Sequence, residues 1–220
     1  MFDFDHTLYD GDSGAHLVSW LIRRSGWRKL LAVLAAPVLL PMVSWLPTRR
    51  RGISGFLWIG TVAARRDIDV LIDDYVCANA VTIRARLLVP ALAVLHRHRE
   101  DGDEVVIATG APPELARAIL DFVAHEDLPV IGSLGQRFLG GYVTAQHCHA
   151  ENKMRMLRAH GHGDIDIAYS DSRADLPLLK AARKPVVVNP KPGRVAYFRK
   201  VLPPGTPILN WGCKTRAGDA

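Results

Sequence analysis

Between Ser13 and Arg66 this chain has no Asp or Glu. The same stretch carries nine cations: Arg23, Arg24, Arg28, Lys29, Arg49, Arg50, Arg51, Arg65 and Arg66. Without those nine, 19 of the 28 Lys and Arg remain to face all 22 acids. The net charge of +6 therefore arises in one segment, and the rest of the chain has an ordinary, slightly acidic balance. Cysteine is scarce as well. Cys77, Cys148 and Cys213 are too few and too scattered for a disulfide framework or a four-ligand zinc site, so a reducing cytosolic setting is expected. Residues Met1 to Asp5 lack a basic lead-in, which argues against a secretory signal. The longest uncharged apolar run, Leu30 to Leu46, is seventeen residues and contains Pro37 and Pro41. As a helix it spans about 25 Å and is expected to kink, so a simple transmembrane helix is not the expectation.

The chain does have enough apolar residues for a core. An apolar share of 49% over 220 residues excludes wholesale disorder, collagen and a small disulfide-stapled fold. A second uncharged run, Gly52 to Ala64, follows the first, with Arg49, Arg50 and Arg51 between them and Trp27 and Trp45 at the edges of the first. This pattern reads as a hairpin lying in, or dipping into, an anionic membrane surface; the alternative is a buried helical cap in a soluble enzyme. The cations bracket greasy runs and do not alternate with polar or base-stacking residues, so nucleic acid is not an expected partner.

Outside this insert, short apolar runs alternate with helical patterns. Strands are expected at Glu104 to Thr109, Leu128 to Gly132, Asp164 to Ser170 and Lys184 to Asn189. Helices are expected at Pro113 to His125, Lys153 to His160 and Leu176 to Ala182, with a turn or hairpin excursion at Leu134 to Val143 and an extended tail from Pro203. The alternation predicts an α/β fold with a parallel sheet, whose active site gathers at the carboxyl ends of the strands.

Four such ends carry reactive side chains. In Phe2-Asp3-Phe4-Asp5-His6-Thr7-Leu8 two carboxylates leave a strand, one placed to attack and the other to give and take protons. Val105 to Gly110 ends in Thr109 and an accessible backbone N–H at Gly110, an oxyanion-binding arrangement. Lys153 opens a helix from which an ammonium can neutralise phosphate charge. Ser170 to Asp175 supplies Asp171 and Asp175, hard oxygen groups suited to Mg²⁺. Each piece alone has an ordinary structural reading, such as Asp171 capping a helix, but the four occur in order at strand ends or helix starts.

In that order the motifs resemble those of the haloacid dehalogenase-like phosphohydrolase superfamily: DFDHT at 3 to 7, Thr109-Gly110, Lys153, and SDSRAD at 170 to 175. The resemblance implies a Rossmann-like three-layer core at 1–12 and 86–220, with an inserted helical cap at 13–85 like that of the phosphoserine-phosphatase-like branch. Val186-Val187-Val188-Asn189-Pro190 resembles that branch's fifth strand. Within the branch the chain is similar to the bacterial phosphatidylglycerophosphatase C type, through the apolar run, the Arg cluster, Phe56-Leu57-Trp58-Ile59-Gly60 and Thr109-Gly110-Ala111-Pro112. By this resemblance Asp3 is the nucleophile that becomes an aspartyl-phosphate, and Asp5 is the acid that protonates the leaving alkoxide and then activates water. Thr109, Gly110 and Lys153 hold the phosphoryl oxygens. Mg²⁺ sits on Asp3, the Asp5 carbonyl and Asp171, with Asp175 and Thr7 behind. The resemblance further implies an anionic phospholipid substrate and a bacterial inner membrane with the core on its cytoplasmic side; the alternative is a cytoplasmic phosphatase for a small metabolite such as phosphoserine.

Two departures stand out. Only Met1 and Phe2 precede Asp3, so the first strand is short, and His6 stands where the family commonly has Gly. His147, Cys148 and His149 with His160 and His162 form a possible transition-metal cluster, although their spacing matches no common zinc pattern. Surface roles are expected for Asp12, Arg65 and Arg66, and packing or interfacial roles for Trp20, Trp45 and Trp58.

Overall fold

The computed structural model describes residues 1–45, 47–123, 125 and 127–217. Leu46, Ala124 of the expected 113–125 helix, Glu126 and the final three residues lie outside the described residues. Six short strands, β1 (Phe2–Asp3), β2 (Ile107–Ala108), β3 (Val130–Ile131), β6 (Ile165–Ser170), β7 (Ala182–Val188) and β8 (Ile208–Leu209), form a sheet in the order 3-2-1-6-7-8. Every pairing in it is parallel. The expected α/β fold is therefore observed, with β8 added by a tail that the sequence reads only as extended.

Side chains alternate across this sheet as its pleat demands. Phe2, Ile107, Tyr169, Val186 and Val188 face one apolar layer, and Val106, Ala108, Ala168 and Val187 face the other. The first layer is closed by α1 (Ser13–Arg23), α4 (Ile68–Ala78), α5 (Ala80–Arg86), α6 (Val89–Glu100) and α7 (Pro113–Leu120). The second is closed by α8 (Glu151–Ala159), α9 (Leu176–Ala181) and α10 (Val195–Val201). The helix expected at Pro113 to His125 stops at Leu120 and tightens into a 3₁₀ turn, Asp121–Val123. Strand β1 is only two residues long, yet it is clamped on both sides. Phe2 N–H donates to Val106 O at 2.9 Å, Tyr169 N–H donates to Met1 O at 3.0 Å, and the rings of Phe2 and Tyr169 stack 4.4 Å apart.

The basic, acid-free segment folds into helices. The expected short, kinked run is a single 19-residue helix, α2 (Gly26–Ser44), which passes through both prolines. It is about 28 Å long, and by length and composition alone it is sufficient to cross a membrane. Pro37 and Pro41 are exposed, so the carbonyls their missing N–H groups leave free can find partners outside the protein. α2 turns back antiparallel along α3 (Arg49–Thr61), and two α3 glycines make the close approach possible. A Cβ on Gly52 would come 2.8 Å from the Val43 backbone, and one on Gly55 would come 2.7 Å from Leu39.

α3 also carries a two-stranded antiparallel hairpin, β4 (Leu134–Phe138) and β5 (Gly141–Gln146), in the region where the sequence expects an excursion. Trp58 Nε1 donates to Phe138 O, Tyr142 N–H to Thr61 Oγ1, Thr144 N–H to Ser54 Oγ, and an Arg50 guanidinium N–H to Ala145 O. A hairpin inserted late in the chain thus props up the helices inserted early. The outward face of α2 is apolar and exposed, with Leu30, Val33, Leu34 and Val38 each more than 60% accessible and Trp27 and Trp45 at its ends.

Candidate active site

The loop after β1 is set by its backbone. His6 adopts φ of 60°, the left-handed region that glycine tolerates best, at the position where the motif's resemblance leads one to expect Gly. Asp10 N–H donates to Arg86 O, and Leu88 N–H donates to Leu8 O, tying the loop to the end of the inserted segment.

Asp3 and Lys153 meet in the interior. Lys153 Nζ lies 2.8 Å from Asp3 Oδ1, 2.8 Å from Asp175 and 3.3 Å from Ala108 O, with 3% of the lysine exposed. Burial pushes the Lys153 ammonium down, but Asp175 and Asp3 outweigh it and hold the group firmly charged. Burial raises the Asp3 carboxyl well above the usual range; Lys153 opposes this, and Asp175 and Asp171 add to it. Asp175 is fixed further by Ser170 Oγ at 2.7 Å. Asp5 accepts from Ser13 N–H at 2.7 Å, and burial followed by the charge of Asp12 raises it to about 7. Asp12 itself caps α1 through Ala15 N–H.

Thr109 and Thr7 are both fully buried behind the wall of the site, the Thr109 hydroxyl accepting from Ala111 N–H at 3.0 Å. Gly110 faces the cavity, and its carbonyl accepts from Ser133 Oγ at 2.6 Å. Asp3, Asp5, Asp171, Asp175, Lys153 and Gly110 all line one cavity of about 810 Å³. Its far wall is apolar and belongs to the insert: Leu17, Val18 and Ile22 of α1, Leu40 and Val43 of α2, and Ile53, Phe56 and Leu57 of α3.

The carboxylates offer hard oxygens of the kind Mg²⁺ prefers, and Asp171 and Asp175 drive up the Asp3 carboxyl in a way that a divalent cation would relieve. Two hydroxyls in the same region, Thr7 Oγ1 and Ser13 Oγ, are buried with no hydrogen-bond partner among the described residues. Among the described residues no three acidic, His or Cys side chains already converge on one point, because Asp3 is turned toward Lys153 and Asp5 toward Ser13. The donor set thus fits the ion in chemistry and charge.

The histidine cluster weighed from the sequence does not assemble. His160 Nδ1 bonds Met156 O and His162 pairs with Glu104, whereas His147 and His149 stack on each other at the cavity. Arg66 shares Asp74 with Arg24, and neither Arg65 nor Arg66 lines the cavity.

A six-stranded parallel sheet with reactive groups at its carboxyl edge and a helical insert over them defines a Rossmann-like hydrolase. The chain belongs to the haloacid dehalogenase-like hydrolase family, whose model matches residues 1–180. Among solved structures it is similar to a protein of unknown function from Bordetella pertussis Tohama I, at 21% identity with a TM-score of 0.73 over 96% of each chain. It is also similar to a phosphoserine phosphohydrolase-like protein from Francisella tularensis, at 16% identity with a TM-score of 0.55 over 85% of each chain. A phospho-aspartyl intermediate analogue of phosphoserine phosphatase matches at 14% identity and a TM-score of 0.55, over 96% of this chain and 91% of that one. These likenesses establish the shared fold.

The sequence reading missed how the loop is held from behind. Asp10, only 8% exposed, accepts from Thr215 Oγ1, Thr215 N–H, Lys214 N–H and Cys213 Sγ, while His6 Nδ1 contacts Thr215 Oγ1 at 3.0 Å. Asn189 bridges His6 O and Trp211 N–H. No local motif announces this clasp, because its halves lie about two hundred residues apart. Burial pushes the Asp10 carboxyl up, but these hydrogen bonds outweigh it and hold the group at about 2, below its ordinary 3.8. A carboxyl depressed on folding stabilises above its unfolded value and loses that contribution as pH falls through the folded one. Asp10→Asn is therefore expected to cost about 2 kcal/mol at pH 7, with the deficit shrinking as pH falls below about 5 and gone only near about pH 1. Chemical denaturation of both proteins across this range checks it; a deficit that does not change with pH would refute it.

Proposed function

We propose that this protein is a Mg²⁺-dependent phosphomonoesterase that works through an aspartyl-phosphate and takes phosphatidylglycerophosphate as substrate, releasing phosphatidylglycerol. The observation that carries the reading is the single cavity that has Asp3, Asp5 and Lys153 at one end and an apolar wall from α1, α2 and α3 at the other. A phosphate needs the first end and an acyl-bearing substrate needs the second. A small polar substrate such as phosphoserine would leave the apolar wall wet.

Asp3 attacks phosphorus, and the phosphorus–oxygen bond to the leaving group breaks as the aspartyl-phosphate forms. Asp5 gives its proton to the departing alkoxide and then takes one from the water that hydrolyses the acyl phosphate. Lys153, held charged between Asp3 and Asp175, offsets the phosphoryl oxygens, and Gly110 lines the same cavity beside them. Asp3, the Asp5 carbonyl and Asp171 would hold Mg²⁺, with Asp175 behind, and the bound ion would neutralise charge as the phosphoryl group transfers. The basic, acid-free insert and the exposed apolar face of α2 suit attachment to an anionic lipid surface, which places the site beside its substrate.

The test is Mg²⁺-dependent phosphate release from phosphatidylglycerophosphate in mixed micelles, run beside phosphoserine. The lipid is expected to win by about 100-fold or more in kcat/KM, since burying a few methylenes against the apolar wall is worth that much. Preference for phosphoserine would overturn the lipid assignment, and release from neither would overturn the phosphatase reading.

A further inference from the structure

The loop between β5 and α8 brings two histidines to the cavity that the reactive carboxylates also line. His147 and His149 are both half-buried, with rings 5.1 Å apart and 13° from parallel. A Cβ built on Gly110 would stand 3.8 Å from His147 Nε2, so this ring borders a glycine that lines the same cavity. The backbone holds it there, since Asn152 Nδ2 and His149 N–H both donate to His147 O. From the other side, the first residue of α3 contributes Arg49 to the same cavity. Arg49 makes no ion pair among the described residues, and its Nε is buried with no hydrogen-bond partner. A buried N–H without an acceptor is costly, and a ligand oxygen in the cavity would supply the missing partner. Its charge already acts on both rings, which burial and neighbouring cations hold neutral, His147 at about 4. Each neutral ring retains one N–H to donate.

We infer that Arg49, His147 and His149 form a second anion subsite, which reads a further phosphate of the substrate while Asp3 and Lys153 work on the phosphomonoester. A guanidinium fork offers paired donors to phosphate oxygens, and two stacked imidazoles add donors along one edge. The preferred substrate is therefore a phosphomonoester whose alcohol carries a second phosphate close by. This rests on the phosphatase reading and adds to the lipid assignment, because phosphatidylglycerophosphate carries a phosphodiester one glycerol away from its monoester.

The subsite can be tested with water-soluble probes in Mg²⁺. Calorimetry on the Asp3→Asn protein compares glycerol 1,3-bisphosphate with glycerol 1-phosphate, and the same titrations are made with Arg49→Gln, Arg49→Lys and the double His147→Gln/His149→Gln added. The bisphosphate is expected to bind about 10- to 100-fold more tightly, as charge-assisted hydrogen bonds to one extra phosphate would give. Arg49→Gln is expected to bring the ratio near unity, Arg49→Lys to leave it in between, and the double histidine variant to lower it at least about threefold. Equal affinities in the parent, no binding of the bisphosphate, or variants that weaken both ligands alike would overturn the subsite. Because neither probe is a lipid, preference for the bisphosphate together with no turnover of phosphatidylglycerophosphate supports the subsite and removes only the lipid assignment.

Discussion

Asp3→Asn is expected to lower phosphate release by about 10⁴-fold or more while the protein stays folded. An amide cannot form the acyl phosphate, so the loss falls on the chemical step and appears in kcat for every phosphomonoester offered. The fold survives because Lys153 keeps Asp175 at 2.8 Å and the Ala108 carbonyl at 3.3 Å, so its charge remains paired after one carboxylate is removed. Two measurements belong together here: phosphate release at saturating substrate and Mg²⁺, and a thermal melt of the same preparation. Activity above about 1% of the parent in a folded variant would show that Asp3 is not the nucleophile. A collapsed melt would instead show that the Asp3–Lys153 pair is needed for folding, as when one partner of a buried ion pair is lost.

Replacing Leu30, Val33, Leu34 and Val38 together by Ser is expected to lower the partition coefficient onto anionic vesicles by about 10³-fold. All four stand on the solvent-facing side of α2 and are more than 60% exposed, so they add little to the folded core. Each would gain about 1 kcal/mol or more on entering an apolar layer, and four together account for the expected factor. The cations around α2 and α3 remain in the variant and supply a weaker attraction that salt removes. Vesicle co-sedimentation at low and high salt separates the two contributions. Undiminished binding would refute the role of α2, and a parallel loss of turnover on a water-soluble phosphomonoester would point to damage of the fold instead.

Much of the architecture was legible before any coordinates. β2, β3 and β6 fall inside the apolar runs read from the sequence and β7 overlaps one, because a strand buried on both faces is a short, largely apolar run. Their ends were less legible. Glu104 to Val106 read as strand, yet the ladder begins at Ile107, since pairing depends on where the neighbouring chain runs. α2 departed furthest. Two prolines argue locally for a break, but the close seat of Leu39 and Val43 on Gly52 and Gly55 holds one continuous helix.

The sequence by itself determined the chemistry available and its order along the chain: two carboxylates leaving the first strand, a threonine–glycine strand end, a lysine opening a helix, and a second acidic pair. These are local signals, since each motif occupies a few consecutive residues whose spacing survives any folding. Only the tertiary structure decided what these groups face. It set Lys153 between Asp3 and Asp175, buried Thr109 and Thr7 behind the wall, latched Asp10 to Thr215, and joined an apolar gallery from three helices to the reactive carboxylates. It also placed Arg49 and His147 on one cavity although about a hundred residues separate them. Such pairings come from loop closure and packing over long separations, and nothing in a local stretch of residues encodes them.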